Sequence, residues 1–391
     1  MNQGDKNKRS YVREMSNRTF EFRIYPNRVQ CQLIDKTFGC TRLVYNHCLD
    51  RKKQLWQDSR QSLSYTACAK ELTQLKKENE FMKEVDSIAL QQSLRHLDTA
   101  YRNFFARGNK GFPRFKSKKN GRQSYSTVNV NNNIRLEDGR IRLPKLGKVK
   151  IRQHRQIPEG WILKSATIKR VPSGKYYVSI LFEYENQARE RKADKVLGLD
   201  FSLPELFVTS EGEHCGYPKY YRQAEQKLAK AQRKLSKMQK GSSNYGKQRV
   251  KVARIHEKVA NQRKDFLHKQ SHWIAKAYDA VCIEKLNMQE MSKLMNFGKS
   301  VHDDGWGMFT RMLEYKLEDR GGRLVRIDRW YPSSQTCSCC GHIHPEMKDL
   351  KVRVLFCDWC LEYYDRDENA AINIREEGHR LLKRQKLQKS A

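Results

Sequence analysis

Long apolar runs are absent from this 391-residue chain, in which no stretch approaches the roughly 20 consecutive apolar residues that a membrane-spanning helix requires. The opening residues MNQGDKNKRSYVRE are polar and lack the apolar segment of a secretory signal peptide. Both absences predict a cytoplasmic protein with no membrane partner.

Acidic residues are in short supply. The chain has 44 Asp and Glu against 78 Lys and Arg, a formal charge of +34 that is spread along its whole length. Such an excess favours a polyanionic partner, and nucleic acid is the usual one. A cationic protein without a specific ligand is the alternative. It is disfavoured because aromatic residues are interleaved with the basic ones.

The eleven cysteines are odd in number, and several stand alone in predicted helices, so we expect thiols and a metal site rather than disulfides. The metal site is predicted at two CxxC pairs, Cys337 with Cys340 and Cys357 with Cys360, which are separated by 16 residues. Four thiolates saturate a zinc ion and leave no position for water, so the zinc should be structural. Cys339 is given no role.

The first half of the chain alternates between strand and helix patterns. Phe20–Tyr25 has the period of a half-buried strand, and apolar residues then recur at helical spacing from Val29 to Trp56 and again from Ser87. Residues 127–185 return to period two, with turn signals at Asp138-Gly139 and Ser173-Gly174. We predict a small antiparallel barrel or sandwich that the early strand joins, with the helices inserted between its strands.

A loop at the end of the helical region combines cations with aromatic rings. It runs from Gly108 to Arg122 and is too rich in glycine to be helical. Cations can neutralise phosphates while rings stack on unpaired bases, so this loop is predicted to grip nucleic acid. The candidate contact residues are Arg114, Phe115, Lys116, Lys118, Lys119 and Arg122.

The second half begins with a charged linker, 187–195. The predicted elements that follow are a strand–turn–strand over 196–212, a helical hairpin over 220–273, a strand over 277–285, a helix over 308–319 and a strand over 324–327. The basic tail, 376–391, is predicted to be disordered.

Three carboxylates stand at the ends of these elements. Asp200 ends one strand, Glu284 ends another, and Asp367 opens the helix after the cysteines. Taken alone, Asp200 is at least as well explained as a turn residue and Asp365 as a helix N-cap. Glu284 is unusual at the end of a buried strand and should have a cationic partner.

If these three acids converge on one sheet edge, they repel each other, and Mg²⁺ or Mn²⁺ would relieve the repulsion. Two such ions about 4 Å apart could activate water and stabilise the leaving oxygen of a phosphodiester. In a chain of charge +34, this nuclease hypothesis is favoured over three separate unremarkable acids.

Several motifs in order along residues 19–376 resemble the TnpB family of small bacterial insertion sequences, which is related to compact type V CRISPR effectors. The matching stretches are FEFRIYPNRVQ, FGCTRLVYNHCLD, FPRFKSKKNGRQSYS, GLDFS, CIEKLN, SSQTCSCCG, FCDWC and DRDENAAINI. The resemblance implies a catalytic triad of Asp200, Glu284 and Asp367, since the second Asp of the DRD triplet is the family's metal ligand.

The resemblance also implies an α+β multidomain fold. Its parts would be a wedge β-barrel (1–26 and 123–190), a helical recognition lobe (27–122), a RuvC-like, RNase H-type nuclease domain (191–333 and 362–391) and an inserted zinc ribbon that binds target nucleic acid (334–361).

The implied activity is magnesium-dependent, RNA-guided cleavage of double-stranded DNA in a prokaryotic cytoplasm. The guide RNA would come from the transposon end, the target would carry a short adjacent motif, and the protein would be monomeric in the ribonucleoprotein. Two alternatives stay open: a nuclease-inactive RNA-guided regulator with vestigial acids, and a transposase that carries out strand transfer.

Overall fold

The computed structural model describes residues 15–106, 111–119, 122–186, 188, 191–288, 290–291, 305–349 and 351–390. Predictions for 1–14, and for parts of the basic loop and of the linker, lie outside these ranges. The chain divides into two compact units, Met1–Asn186 and Gln187–Ala391. Among the helices within the described residues, none has both the length and the apolar character needed to cross a bilayer.

The first unit contains a seven-stranded antiparallel sheet in the order β2-β6-β7-β1-β5-β4-β3. Its strands are β1 (Met15–Tyr25), β2 (Gln123–Val128), β3 (Arg135–Glu137), β4 (Arg140–Leu143), β5 (Gly147–Arg152), β6 (Ile162–Arg170) and β7 (Tyr176–Glu185). The predicted turn at Asp138-Gly139 joins β3 to β4 with positive φ at both residues, as a tight hairpin requires.

Strand β1 lies in the middle of this sheet. Phe22 pairs with Val178 of β7, and Ile24 pairs with Ile151 of β5. The prediction that the early strand joins a sheet formed by later residues is therefore confirmed. Strands of this sheet contribute to one hydrophobic core, which also takes in Ile34 and Phe38.

The helices between β1 and β2 are α1 (Arg28–Ser59), α2 (Tyr65–Glu78) and α3 (Ser87–Ala106). Asn27 begins α1 with a reciprocal capping box, in which Asn27 and Gln30 each bond the other's backbone amide. A second core of buried side chains such as Val44, Leu72 and Leu94 holds the three helices together. Helix α2 was not predicted from the sequence.

The second unit contains a four-stranded sheet in the order β11-β10-β8-β9. Its strands are β8 (Val196–Ser202), β9 (Leu206–Thr209), β10 (Ala280–Glu284) and β11 (Arg323–Ile327). Strands β8, β10 and β11 are parallel, whereas β9 returns antiparallel beside β8. Helices within the described residues of this unit include α4 (Tyr220–Ser236), α5 (Ser243–Ala277), α6 (Trp306–Glu318) and α7 (Arg366–Ser390).

This sheet is covered on both faces. Leu197, Leu199, Val281 and Ile283 pack with side chains of α5 and α6 in one core, while Cys282 and Ile327 pack with Ile374 of α7 in another. Helix α7 approaches so closely that a Cβ on Gly198 would lie 2.0 Å from the carbonyl oxygen of Ala371. The predicted disorder of 376–391 is wrong, because α7 continues through this tail to Ser390 and buries Leu382.

The segment before α7 forms two small hairpins. Thr336 bridges Ile343 in the first, and β12 (Val354–Cys357) pairs with β13 (Glu362–Asp365) in the second. A 3-10 turn, Pro345–Lys348, lies between them. We call residues 334–365 the ribbon segment.

Candidate active site and cysteine cluster

Asp200 and Glu284 lie side by side at one edge of the second sheet. Leu199 of β8 pairs with Ile283 of β10 in parallel register, so the residue after each occupies the equivalent position on its strand. Since successive side chains point to opposite faces, Asp200 and Glu284 project from the face opposite Leu199 and Ile283. That is the face covered by α7.

Asp367 reaches the same place from the first turn of α7. Asp365 caps this helix, because its Oδ1 accepts hydrogen bonds from the backbone amides of Asp367 and Glu368 at 2.9 and 3.1 Å. The N-cap interpretation of Asp365 is confirmed. The cap fixes the first turn and places Asp367, which is only 8% exposed, against the sheet edge.

One cleft of about 530 Å³ is lined by all three predicted carboxylates. Basic and aromatic residues also line it, among them Arg329, Trp330, Tyr331, Arg353 and Arg366. The three carboxylates do not all approach within 4.8 Å of one another. They share a cleft but are less tightly gathered than the cysteines described below.

The electrostatics of the cleft match the predicted repulsion. Burial, Glu284 and Asp367 raise the pKa of Asp200 well above its usual range, and Arg366 offsets only part of this. Burial also raises the pKa of Glu284, against a hydrogen bond from Ser333. The cleft thus disfavours negative charge on Asp200 and Glu284. A divalent cation with a preference for oxygen ligands would reverse that tendency, so the donor set fits Mg²⁺ or Mn²⁺.

Two of the acids already have partners. Arg353 Nη2 donates to Asp367 Oδ2, and Ser333 Oγ donates to Glu284 Oε1. Two buried asparagines of α7 then anchor the chain around Ser333: Asn373 Nδ2 donates to the Ser333 carbonyl at 2.8 Å, and Asn369 Nδ2 donates to the Thr336 carbonyl at 2.8 Å.

Ser333, Arg353, Asn369 and Asn373 were not predicted from the sequence. The two asparagines could have been found from their spacing, because Asn369 and Asn373 are four residues apart and so share one face of the helix.

The four predicted cysteines form a cluster. The sulfurs of Cys337, Cys340, Cys357 and Cys360 all lie within 4.8 Å of one another, with Cys337–Cys360 at 3.6 Å and Cys340–Cys357 at 3.5 Å. A tetrahedral zinc ion with bonds of about 2.3 Å separates its sulfurs by about 3.8 Å. The cluster is therefore compatible with zinc. Cys339 is exposed and lies outside it.

The predicted nucleic-acid-binding residues are exposed on the first unit, in the described parts of the loop. The loop is fixed at Lys116, whose backbone amide donates to Asn46 Oδ1 at 2.8 Å and whose carbonyl accepts from Asn46 Nδ2 at 2.9 Å. Lys53 Nζ lies 4.5 Å from the ring centroid of Phe115, which is 49% exposed. A cation beside an accessible ring suits a base and its phosphate together.

Comparison with known proteins places the chain in a family. A Streptomyces pristinaespiralis protein named as a candidate RNA-guided DNA endonuclease is 38% identical over 92% of this chain and 89% of its own length. The chain belongs to the TnpB family. InsQ of Escherichia coli K12, named in the same way, is 32% identical to this TnpB protein over 93% of the chain and 92% of its own.

Family profiles cover three segments of the TnpB chain. Residues 179–295 match the OrfB_IS605 family, described as a probable transposase, and include Asp200 and Glu284. Residues 306–374 match the Cas12f1-like TNB domain and include the cysteine cluster and Asp367. Residues 15–61 match a helix-turn-helix profile, although the structure forms strand β1 and the single helix α1 there.

The fold of this TnpB protein is similar to that of a solved protein chain. The Cas12f1 chain of a Cas12f1–sgRNA–target DNA complex aligns over 92% of this chain and 99% of its own length, with a TM-score of 0.58 and 10% sequence identity. The α+β fold is therefore Cas12f1-like.

Proposed function

We propose that this TnpB protein is an RNA-guided DNA endonuclease of a transposable element and that Asp200, Glu284 and Asp367 hold its catalytic metal ions. The observation that carries the proposal is the convergence of these three acids, distant in sequence, on one cleft of a strongly basic protein. The names of the relatives support guidance by RNA and action on DNA. The unit Gln187–Ala391 would then be a RuvC-like nuclease, and the cysteine cluster would hold a structural zinc.

The residues of the cleft have distinct tasks in this proposal. Bound Mg²⁺ or Mn²⁺ ions would supply an activated water and charge stabilisation for the leaving oxygen of a phosphodiester. Ser333 and Arg353 hold Glu284 and Asp367 in place before substrate arrives. Arg329, stacked 4.4 Å from the ring centroid of Trp330, and Arg366 bring positive charge to a phosphate in the cleft.

The partners follow from the same proposal. Base pairing with a guide RNA from the transposon end would select the target strand, while the protein supplies charge, shape and recognition of a short adjacent motif in double-stranded DNA. The exposed loop with Arg114, Phe115, Lys116, Lys118, Lys119 and Arg122 would contact the nucleic-acid backbone. The protein would act in the prokaryotic cytoplasm as a monomer within its ribonucleoprotein.

The test uses the full-length ribonucleoprotein, with the copurified RNA sequenced and matched DNA carrying a randomised flank. We expect Mg²⁺-dependent cutting of both strands. Asp200→Ala should abolish cutting and keep RNA binding, whereas Asp265→Ala removes an exposed acid of α5 and should cut normally. Normal cutting by Asp200→Ala would refute the site. Tight target binding by the wild type without cutting would favour a regulator, and joined products would favour strand transfer.

A further inference from the structure

Two histidines and an aspartate form a second group of candidate metal ligands in the ribbon segment. One ligand atom each from His342, His344 and Asp358 lies within 4.8 Å of the other two. The two imidazole rings have centroids 4.9 Å apart, and exposed Ile343 separates them in sequence. Asp358 lies in the turn between Cys357 and Cys360. Two imidazoles and a carboxylate suit zinc and the neighbouring first-row divalent metals.

His344 provides an independent indication of a ligand. Its side chain is 4% exposed, and its Nδ1 lies 3.1 Å from Glu346 Oε1. A carboxylate only accepts, so Nδ1 carries the proton, and in the neutral ring Nε2 carries the lone pair. Within the described residues, this buried Nε2 makes no hydrogen bond of ordinary geometry, and its polar neighbour is the Cys357 sulfur, which is a weak acceptor.

A buried nitrogen whose only polar neighbour is a weak acceptor bears part of the cost of an unpaired group, which is about 1–3 kcal/mol. A metal ion bonded to Nε2 would remove this cost. The arrangement would then be the one typical of metal-ligating histidines, in which the second ring nitrogen donates to a carboxylate and so fixes the tautomer.

The other two candidate ligands, His342 and Asp358, are accessible to solvent. His342 stacks on Trp359 with ring centroids 5.5 Å apart and an interplanar angle of 4°, which restricts the orientation of its ring. His342 and Asp358 are both exposed. An ion at this point would therefore have three protein ligands and a fourth position open to solvent.

The geometry points to a second zinc ion, bound by Nε2 of His344, an imidazole nitrogen of His342 and the carboxylate of Asp358. This ion would tie the first ribbon hairpin to the Cys357–Cys360 turn, a connection that a zinc ion in the cysteine cluster would also make. Because metal binding adds to folding free energy, the second ion would stiffen a small segment with little core of its own. The second ion would bind whether or not the protein cuts DNA.

The experiment counts zinc in the full-length ribonucleoprotein after dialysis against a zinc buffer without chelator, with copurified RNA alone as the blank. We expect two zinc ions per chain in the wild type, and one in His342→Ala and in Asp358→Asn. These side chains are exposed, so the variants should fold. His256→Ala removes an exposed histidine of α5 and should keep two.

Cobalt substitution gives a second readout. The four-thiolate site should give intense thiolate-to-cobalt charge-transfer absorption in the wild type and in every one of these variants. The weaker bands of the second site should be present in the wild type and in His256→Ala and missing in His342→Ala.

One zinc ion per chain in the wild type would overturn the inference, as would two in His342→Ala. If His344→Gln only weakens binding of a single zinc ion, then His344 serves as a hydrogen-bond donor to Cys357 and the second site does not exist.

Discussion

Arg353 of the ribbon segment forms an ion pair with Asp367, the acid that stands in the first turn of α7. The backbone reinforces this relationship, because the Arg366 amide donates to the Arg353 carbonyl at 2.9 Å. A proposed metal ligand is thus neutralised by a side chain that is itself 52% exposed. A half-exposed cation can leave when a metal ion and a phosphate arrive.

Removing this cation should strengthen metal binding. We expect Arg353→Ala to lower the Mg²⁺ concentration needed for half of the Mg²⁺-induced thermal stabilisation severalfold, because a competing positive charge leaves the cleft. Arg380→Ala is the matched control, since Arg380 pairs with Glu377 on the same helix. Equal Mg²⁺ dependence in both variants would show that Arg353 does not compete with the ion.

The raised pKa of Asp200 predicts how stability depends on pH. The folded-state pKa of Asp200 lies above the unfolded value of about 3.9, so the native protein binds this proton more tightly than the unfolded chain does. Asp200 therefore lowers the free energy of unfolding as the pH rises above the unfolded pKa. In Mg²⁺-free buffer, Asp200→Asn should therefore raise Tm near neutral pH, by less as the pH falls. Adding Mg²⁺ should favour the wild type. Parallel curves of Tm against pH would contradict the assignment of the shift.

Substitutions at two glycines, one against α7 and one control position, test the close packing of α7. A Cβ on Gly198 would lie 2.0 Å from the Ala371 carbonyl oxygen and 2.9 Å from Arg375 Cβ, so Gly198→Ala must push α7 off the sheet. We expect a loss of about 1–3 kcal/mol in the free energy of unfolding, together with lost cleavage because Asp367 moves.

Gly246→Ala is the control, because this position in α5 has no atom within 4 Å of the new methyl group. It should gain about 1 kcal/mol from helix propensity. Urea denaturation measures both variants, and equal unfolding midpoints would show that α7 can shift without cost.

The basic loop predicts a salt effect. Replacing Lys118 and Lys119 together by alanine should weaken RNA binding and reduce the slope of log K against log salt by about 1.5, if each lysine neutralises one phosphate. Lys83→Ala is the control, since Lys83 pairs with Glu80 on an exposed turn. Filter binding at several salt concentrations measures the slope, and an unchanged slope would exclude phosphate contacts by both lysines.

Periodicity and spacing in the sequence predicted the elements that carry the site. Residue alternation indicated β1, a strand–turn–strand pattern indicated β8, and a short apolar run indicated β10. The CxxC spacing indicated the cysteine cluster. Each prediction depends on local pattern alone. Helix α2 was missed because only Cys68 and Leu72 of its fourteen residues are buried, which leaves a weak apolar stripe.

The tail was mispredicted for a related reason. Its basic composition suggested disorder, but Ile374, Gly378 and Leu382 recur every four residues and continue the packed face of α7. No local sequence pattern indicates that Arg353 and Ser333 contact the acids of the cleft. Their contacts arise only when the ribbon segment folds back beside β10 and α7, which is a property of tertiary structure.

The central position of β1 has a consequence for synthesis. Because β1 pairs with β5 and β7, the ribosome must deliver the chain as far as Arg152 before the first strand meets a partner, and as far as Glu185 before both of its edges are paired. Until then a nascent chain carries an unsatisfied strand edge, which is open to wrong partners. Slow translation through the helical insertion should therefore increase dependence on chaperones, even though the finished protein is unchanged.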